Sequence, residues 1–250
     1  MQIVIDGKTC DAKRGEFLLD IAKRNGIDIP TLCHLDALPG EGNCRMCIVE
    51  VLERGRSRVV TSCIYPVKRP VEVLTNTPKI IKMRKTLVML LASRVPENDM
   101  IYQLCEQYDV KPPMRFTKDP TEECILCRLC VRACEEIKLN AISTVNRGIT
   151  KKISTPFDEP SDTCIGCGAC AYVCPTNAIK IHDKNGKRYM WNKSFELLKC
   201  EKCGEYFTTR ENFEYVNKQL ECKEPKILCD KCKKTQAQEN LRDIFSTYEM

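Results

Sequence analysis

Two segments, CILCRLCVRAC at residues 124–134 and CIGCGACAYVCP at residues 164–175, repeat the same spacing of four cysteines. In each segment the cysteines are separated by two, two and three residues. Such tight spacing allows three thiolates of one segment to wrap a single cubane metal cluster, while the fourth lies beyond the turn. The first run contains Cys124, Cys127, Cys130 and Cys134, and the second contains Cys164, Cys167, Cys170 and Cys174.

This spacing is the signature of bacterial two-cluster ferredoxins, in which the fourth cysteine of each run ligates the other cluster. It therefore predicts two [4Fe–4S] clusters with exchanged ligands. The first cluster is assigned to Cys124, Cys127, Cys130 and Cys174, and the second to Cys164, Cys167, Cys170 and Cys134. A pair of structural zinc sites is the alternative, although zinc usually takes cysteine pairs that are spread along the chain.

Composition places these cysteines in a reducing environment. The 250-residue chain has 19 cysteines, and its N-terminus lacks an apolar run long enough for a signal peptide. No apolar run is long enough to span a bilayer, so the expected location is the cytoplasm, where clustered cysteines indicate metal sites. The formal net charge of +6 treats thiols as neutral. Each metal site with its thiolate ligands contributes about −2 on simple charge counting. The positive formal charge therefore gives little support for nucleic-acid binding.

The N-terminal residues predict a β-grasp domain. Residues 1–12 read as a hairpin around Asp6-Gly7, residues 16–24 as a helix, and residues 48–53 as a strand. A second strand ends near Cys63 and a short one covers residues 71–74. Together they indicate a small mixed sheet that grips a helix, with a long loop between the helix and the third strand.

Four cysteines of this domain suit a [2Fe–2S] cluster. They are separated by ten, two and fifteen residues, and plant-type ferredoxins show a related order with a shorter first loop. The alternative is a β-domain that binds zinc. The predicted ligands are Cys33, Cys44, Cys47 and Cys63.

The segments IPTLCHLDALPGEGNCRMCIVEV and CILCRLCVRACEEI…NRGI…CIGCGACAYVCPTNAI resemble three related families. These are the large iron–sulfur subunit of respiratory complex I, the small diaphorase subunit of NAD-reducing hydrogenases, and the N-terminal part of iron-only hydrogenases. The resemblance covers roughly residues 1–182. Each of the four N-terminal cysteines matches a ligand position of these families.

A helical linker is predicted between the two iron–sulfur regions, with Thr77 as N-cap and Pro78 in the first turn. In the related families the stretch after this helix often carries one histidine and three cysteines for a further [4Fe–4S] cluster. Residues 92–116 contain only Cys105 and no histidine, so that cluster is predicted to be absent. In the dicluster region, Arg128, Arg132 and Arg147 are either steering charges for an acidic partner or scattered surface charge.

The C-terminal segment predicts a zinc-ribbon-like module. Two C-x2-C knuckles lie about twenty-five residues apart, and the segment has too few apolar residues to fold without a metal. Zinc is the favoured occupant and a further [4Fe–4S] cluster is the alternative. Cys222 is a spare thiol, and Cys10 and Cys105 are interpreted as plain buried thiols. The predicted ligands are Cys200, Cys203, Cys229 and Cys232.

The chain is therefore predicted to be of the α+β class, with four parts. These are a β-grasp [2Fe–2S] ferredoxin-like domain at 1–76, a helical linker at 77–116, a two-[4Fe–4S] ferredoxin domain at 117–187, and a four-cysteine metal-ribbon module at 188–250. The sequence has no Gly-rich phosphate loop after a strand and only two histidines, which argues against a chemical active site.

The leading hypothesis is an electron-transfer subunit of a soluble, multi-subunit NAD(P)-linked oxidoreductase, in one version electron-bifurcating. The resemblance implies a flavin-bearing NAD(P)H-oxidising subunit on one side, and a hydrogenase, a formate dehydrogenase or ferredoxin on the other. A free-standing polyferredoxin is an alternative. A zinc-dependent nucleic-acid-binding protein is a further alternative, motivated by the knuckles and the DKCKK stretch.

Overall fold

The computed structural model describes residues 1–111, 119–222 and 225–246, with no side chains described from 243 onward. These residues form two compact units. The first unit comprises residues 1–138, 144–153 and 170–179. The second comprises residues 139–143, 154–169 and the chain from 180 onward. The boundaries of the four predicted domains remain predictions.

The first unit opens with a five-stranded mixed sheet in the order β2-β1-β5-β3-β4. Strands β1 and β5 pair in parallel, and the other neighbours pair antiparallel. Asp6 and Gly7 both have positive φ, as a tight two-residue hairpin turn requires. The strands are β1 (Gln2–Ile5), β2 (Lys8–Asp11), β3 (Ile48–Glu53), β4 (Arg56–Thr61) and β5 (Glu72–Leu74).

Helix α1 (Leu18–Arg24) packs its apolar side on this sheet, so the sheet and its helix have the expected arrangement. The helix begins two residues later than Glu16, because Phe17 keeps an extended backbone and acts as the N-cap. Buried aliphatic side chains of the helix and of alternating strand positions form one core. Its members include Ile3, Ile5, Leu18, Leu19, Ile21, Val49, Val51 and Val73.

Two helices follow the sheet: α2 (Pro78–Arg94) and α3 (Asp99–Gln107). The Thr77 side chain accepts a hydrogen bond from the backbone N–H of Ile80, as the sequence predicted for an N-cap. Asn98 caps α3 in the same way, by accepting from the N–H of Ile101. Cys105 lies half-buried on α3, while Cys10 is buried in the core of the sheet.

The dicluster region contributes short elements: helix α4 (Leu129–Glu136), the paired strands β6 (Ser143–Val145) and β7 (Lys152–Ser154), and helix α5 (Ala169–Tyr172). Both helices begin within a cysteine run, so α4 carries Cys130 and Cys134, and α5 carries Cys170. Residues 112–118, which contain the predicted start of this domain, lie outside the described residues.

In the second unit a four-stranded antiparallel sheet runs in the order β11-β10-β9-β8. Strand β8 (His182–Lys184) lies before residue 188, the predicted start of the C-terminal module, and it pairs with β9. The elements are β8 (His182–Lys184), β9 (Lys187–Met190), β10 (Lys193–Lys199), β11 (Tyr206–Thr209), α6 (Arg210–Gln219) and α7 (Asp230–Ser246). None of the helices in the described part of the chain is long and apolar enough to cross a membrane.

Candidate metal-cluster sites

The four N-terminal cysteines lie in two close pairs at one end of the mixed sheet. The backbone N–H of Cys44 donates to the Sγ of Cys33 at 3.4 Å, and the Sγ atoms of Cys47 and Cys63 are 3.3 Å apart. Cys33, Cys47 and Cys63 are buried, while Cys44 is half-buried. The loop and the strand end thus bring the four sulfurs to one side of the core.

The pKa values of these thiols reflect the pairing. A hydrogen bond from its partner lowers the pKa of Cys44, next to Cys33, to about 7, and that of Cys47, next to Cys63, to about 7. The same hydrogen bonds raise the pKa values of Cys33 and Cys63. The lowered pKa values of Cys44 and Cys47 favour a bound metal, because thiolates are the metal-binding form.

Two glycines allow the ligand loop to lie against Cys63. A Cβ on Gly40 would be 2.8 Å from the carbonyl oxygen of Cys63, and one on Gly42 would be 2.9 Å from the Cδ1 of Ile64. Gly42 also has a φ of +66°, which side chains disfavour. Larger residues at these positions would push the loop away from the site.

Two buried arginines, Arg132 and Arg84, lie at this site, and the sequence did not reveal Arg84 as one of its residues. The interpretation of Arg132 as a surface charge is wrong, because it is 3% exposed. It lies on α4 and donates to the carbonyl oxygens of Cys33 and Pro39 at 2.6 and 2.5 Å. Arg84 on α2 is 1% exposed and donates to the carbonyl oxygens of Met46 and Ile48. The only available signal was the helical spacing, which puts Arg84 on the same side of α2 as Ile80 and Val88.

Three cysteines of the first run interact electrostatically with Cys174 of the second run, all within the first unit. Burial raises the pKa values of the Cys124 and Cys130 thiols, and it raises the pKa of Cys127 to about 11. Negative charge on Cys174 raises each of these pKa values further. Closely spaced thiolates that repel each other in a buried place favour a bound cationic centre.

Backbone donors also face these sulfurs. The N–H of Leu126 donates to the Sγ of Cys124 at 3.4 Å, and that of Ala178 to the Sγ of Cys174 at 3.3 Å. Such N–H···S hydrogen bonds stabilise negative charge on a cluster and influence its potential. Arg94 fixes the same loop, because its Nε donates to the carbonyl oxygen of Cys124 at 2.7 Å.

The four cysteines predicted for the second cluster divide between the units. Cys134 on α4 and Cys170 on α5 belong to the first unit, whereas Cys164 and Cys167 belong to the second. In the second unit the loop between Cys164 and Cys167 packs on the four-stranded sheet. A Cβ on Gly166 would be 2.8 Å from the Phe195 ring, and Arg188 donates to the carbonyl oxygen of Gly166 at 3.1 Å.

The C-terminal cysteines form a compact group. The sulfurs of Cys200, Cys203, Cys229 and Cys232 all lie within 4.8 Å of one another. The first knuckle lies between β10 and β11, with Gly204 at a φ of +75°. The second knuckle lies at the start of α7 rather than on a hairpin. Cys222 is exposed and outside the group.

Backbone donors favour a thiolate in this group. Burial tends to raise the pKa of Cys200, but N–H groups of Cys229, Cys203 and Lys202 outweigh it and lower the pKa to about 6. The N–H of Cys229 donates to the Sγ of Cys200 at 3.3 Å. The pKa of Cys232 rises to about 12, first through burial and then through its neighbouring cysteines.

Comparison with known families identifies two iron–sulfur domains in the chain. Residues 1–78 match the 2Fe-2S iron-sulfur cluster binding domain, and residues 120–181 match the 4Fe-4S dicluster domain. The chain is thus an iron–sulfur protein with one domain of each kind. It resembles subunits of NAD-linked hydrogenases and of complex I, as the sequence predicted.

Three curated relatives show this resemblance. The chain is 33% identical over 222 residues to the NADP-reducing hydrogenase subunit HndD of Solidesulfovibrio fructosivorans, covering 76% of this chain and 37% of that protein. It is 27% identical to the NADH-ubiquinone oxidoreductase 75 kDa subunit of Reclinomonas americana, over 80% of this chain and 32% of that protein. It is 30% identical to the gamma chain of the NAD-reducing hydrogenase HoxS of Cupriavidus necator, over 52% of this chain and 64% of that protein. The chain spans less than two thirds of each relative.

A solved structure supports the fold. A chain in the crystal structure of NAD+-reducing [NiFe]-hydrogenase in the H2-reduced state superimposes with a TM-score of 0.53 at 24% identity. The match covers 62% of this chain and 74% of that chain.

Proposed function

We propose that this chain is the electron-transfer subunit of a multi-subunit NAD(P)-linked oxidoreductase. The observation that carries the proposal is the presence of a 2Fe-2S domain and a 4Fe-4S dicluster domain in one chain. Its relatives are named as subunits of NADP- and NAD-reducing hydrogenases and of NADH-ubiquinone oxidoreductase. By analogy, a flavin-bearing subunit supplies or accepts electrons on one side. A hydrogenase, a formate dehydrogenase or ferredoxin does so on the other.

The proposed ligand sets are those that the cysteine spacing predicts. Cys33 and Cys44 hold one iron of the [2Fe–2S] cluster, and Cys47 and Cys63 hold the other, because these are the two close pairs. Bound clusters supply one-electron carriers whose potentials the surrounding charge, burial and hydrogen bonds set. The [4Fe–4S] ligand sets are Cys124, Cys127, Cys130 and Cys174 for one cluster, and Cys164, Cys167, Cys170 and Cys134 for the other.

Hydrogen bonds and apolar contacts connect the [2Fe–2S] site with the first cysteine run of the dicluster region. Arg132 on α4 donates to the carbonyl oxygen of Cys33, and the amide of Asn43 donates to that of Cys127 at 3.3 Å. Cys33 and Cys127 also share one hydrophobic cluster with Leu129 and Ala133. A packed contact of this kind helps to keep the distance between two electron carriers constant.

The C-terminal group is proposed to bind zinc as a structural ion. Tetrahedral zinc with Zn–S bonds of about 2.3 Å places its sulfurs about 3.8 Å apart. The Sγ atoms of Cys203 and Cys229 are 3.8 Å apart, and all four sulfurs lie within 4.8 Å. A cubane cluster is larger than one ion and would hold its ligands further apart. This spacing therefore favours zinc over a third [4Fe–4S] cluster.

Anaerobic purification from the native host, followed by mass spectrometry of what co-purifies, tests the proposed role. We expect a flavoprotein and a hydrogenase or formate dehydrogenase in a stable complex. A chain that purifies alone and is fully active toward free redox proteins would contradict the proposal, since it would then be a mobile electron carrier.

A further inference from the structure

Only two charged side chains are buried in the described part of the chain: Arg84 at 1% and Arg132 at 3% exposure. Burying a charge is costly unless an opposite charge or a dense set of hydrogen bonds compensates it. Both arginines contact the backbone of loops that carry the proposed [2Fe–2S] ligands. Their common location at one site requires an explanation.

Arg84 contacts both residues that flank Cys47. Its Nε donates to the carbonyl oxygen of Met46 at 3.0 Å, and its Nη2 donates to that of Ile48 at 2.8 Å. Its Nη1 donates to the Oδ1 of Asn76 at 2.8 Å. Within the described residues, none of these partners is a carboxylate. Burial lowers the pKa of Arg84, and Tyr108, the Cys47 thiolate and the Asp28 carboxylate oppose that effect.

Arg132 approaches the site from the dicluster region. It donates to the carbonyl oxygens of Cys33 and Pro39. These hydrogen bonds hold the N-terminal part of the ligand loop, whereas Arg84 contacts its C-terminal end. Its Nε is buried without a hydrogen bond, and the nearest carboxylate oxygen, on Glu41, is 3.9 Å away. Its charge is therefore only partly compensated by protein groups.

We propose that Arg84 and Arg132 are positioning residues that provide the buried counter-charge of the [2Fe–2S] centre and raise its reduction potential. This inference rests on the proposed cluster. An oxidised all-cysteine cluster carries about −2, and reduction adds one further negative charge. Fixed positive charge in a buried site stabilises the reduced state more than the oxidised one, because Coulomb interactions are strong where water is excluded. The same attraction offsets the cost of burying the two arginines.

An EPR-monitored redox titration of the [2Fe–2S] signal tests the proposal in the full chain, with dithionite as reductant. We expect Arg84→Gln to disfavour the reduced state about tenfold, a shift of about 59 mV to lower potential for one electron. Arg84→Lys keeps the charge but loses the planar guanidinium, so its reduction potential should stay closer to that of the unmodified protein. The matched control is Arg56→Gln, which removes the charge of an exposed arginine in the same domain and should leave the potential unchanged.

Arg132→Gln gives an independent test, because it leaves the carbonyl contacts of Arg84 untouched. It should also lower the potential, while Arg132→Lys should restore it. Unchanged potentials in both glutamine variants, or an equal shift in Arg56→Gln, would overturn the proposal. The proposal would also be overturned if both glutamine variants lost the EPR signal and the corresponding lysine variants did not restore it. The arginines would then serve only the fold. Absence of a [2Fe–2S] signal from the unmodified protein would instead refute the proposed cluster itself.

Discussion

The N-terminal domain and the C-terminal module each gather four cysteines, but they differ in what surrounds the sulfurs. In the N-terminal domain, Cys47 and Cys63 belong to a large core of buried aliphatic side chains. In the C-terminal module, the corresponding buried cluster consists of Leu228 and three cysteines. The comparison indicates that the first domain folds on its apolar core and then holds a cluster. We expect the second to depend on a bound metal for its fold.

Loss of a C-terminal ligand should have the largest effect on folding. We expect Cys203→Ser to abolish zinc binding and unfold the knuckle region, because structural zinc contributes about 10–16 kcal/mol in small zinc domains. Zinc analysis and limited proteolysis would measure this. The matched control is Cys222→Ser, an exposed cysteine outside the group, which should keep zinc. A zinc-free but protease-resistant Cys203→Ser module would contradict the comparison.

Loss of an N-terminal ligand should remove the cluster and leave the fold. Cys63→Ser is expected to lower the iron content by about two atoms per chain, since one [2Fe–2S] cluster is lost. The 1–76 region should remain folded, because the aliphatic side chains of its core are unchanged. Iron analysis combined with hydrogen exchange of the β1–β5 sheet would check both statements. Cys10→Ser, a buried thiol in the same core, should retain full iron; unfolding of the sheet in Cys63→Ser would reverse the argument.

A core truncation should weaken the N-terminal domain in a graded way. Leu19 is fully buried, and Leu19→Ala should reduce the free energy of unfolding by about 3 kcal/mol. Urea unfolding followed by the visible absorbance of the cluster would report this change. Val216→Ala on α6 removes an exposed side chain and should change stability by less than about 0.5 kcal/mol. Equal effects of the two substitutions would show that the two regions do not differ in this respect.

A helix cap should have the smallest effect. Thr77→Ala removes the hydrogen bond that Thr77 accepts from the N–H of Ile80 and the one that it donates to Glu50, and should cost about 1 kcal/mol. Thr86 on the same helix bonds only to the carbonyl oxygen of Lys82, so Thr86→Ala should be close to neutral. Urea titration of both variants would compare them. A larger loss for Thr86→Ala would disagree with the capping role.

The local signals in the sequence predicted much of this molecule. The Asp6-Gly7 turn, the Thr77 cap and strand β3 lie where turn chemistry, capping and apolar alternation placed them. These features depend on neighbouring residues alone. The cysteine spacing likewise predicted the two iron–sulfur domain types that family comparison shows.

The contacts between distant segments were not accessible in the same way. Arg132 and Cys33 are 99 positions apart, so no local pattern reveals that one donates to the other. Arg84 lies on a helix whose spacing predicts only an apolar side, yet its guanidinium reaches the carbonyl oxygens of Met46 and Ile48. The start of α7 at the second knuckle also depends on packing that knuckle spacing does not encode.

Metal analysis of the anaerobically purified chain, combined with EPR of the reduced protein, tests the proposed set of metal centres. We expect about ten iron atoms and about one zinc per chain, with signals from one [2Fe–2S] and two [4Fe–4S] centres. A chain with zinc alone and no iron–sulfur signal would contradict it. About fourteen iron atoms and no zinc would retain the electron-transfer role and contradict the contrast between the two regions.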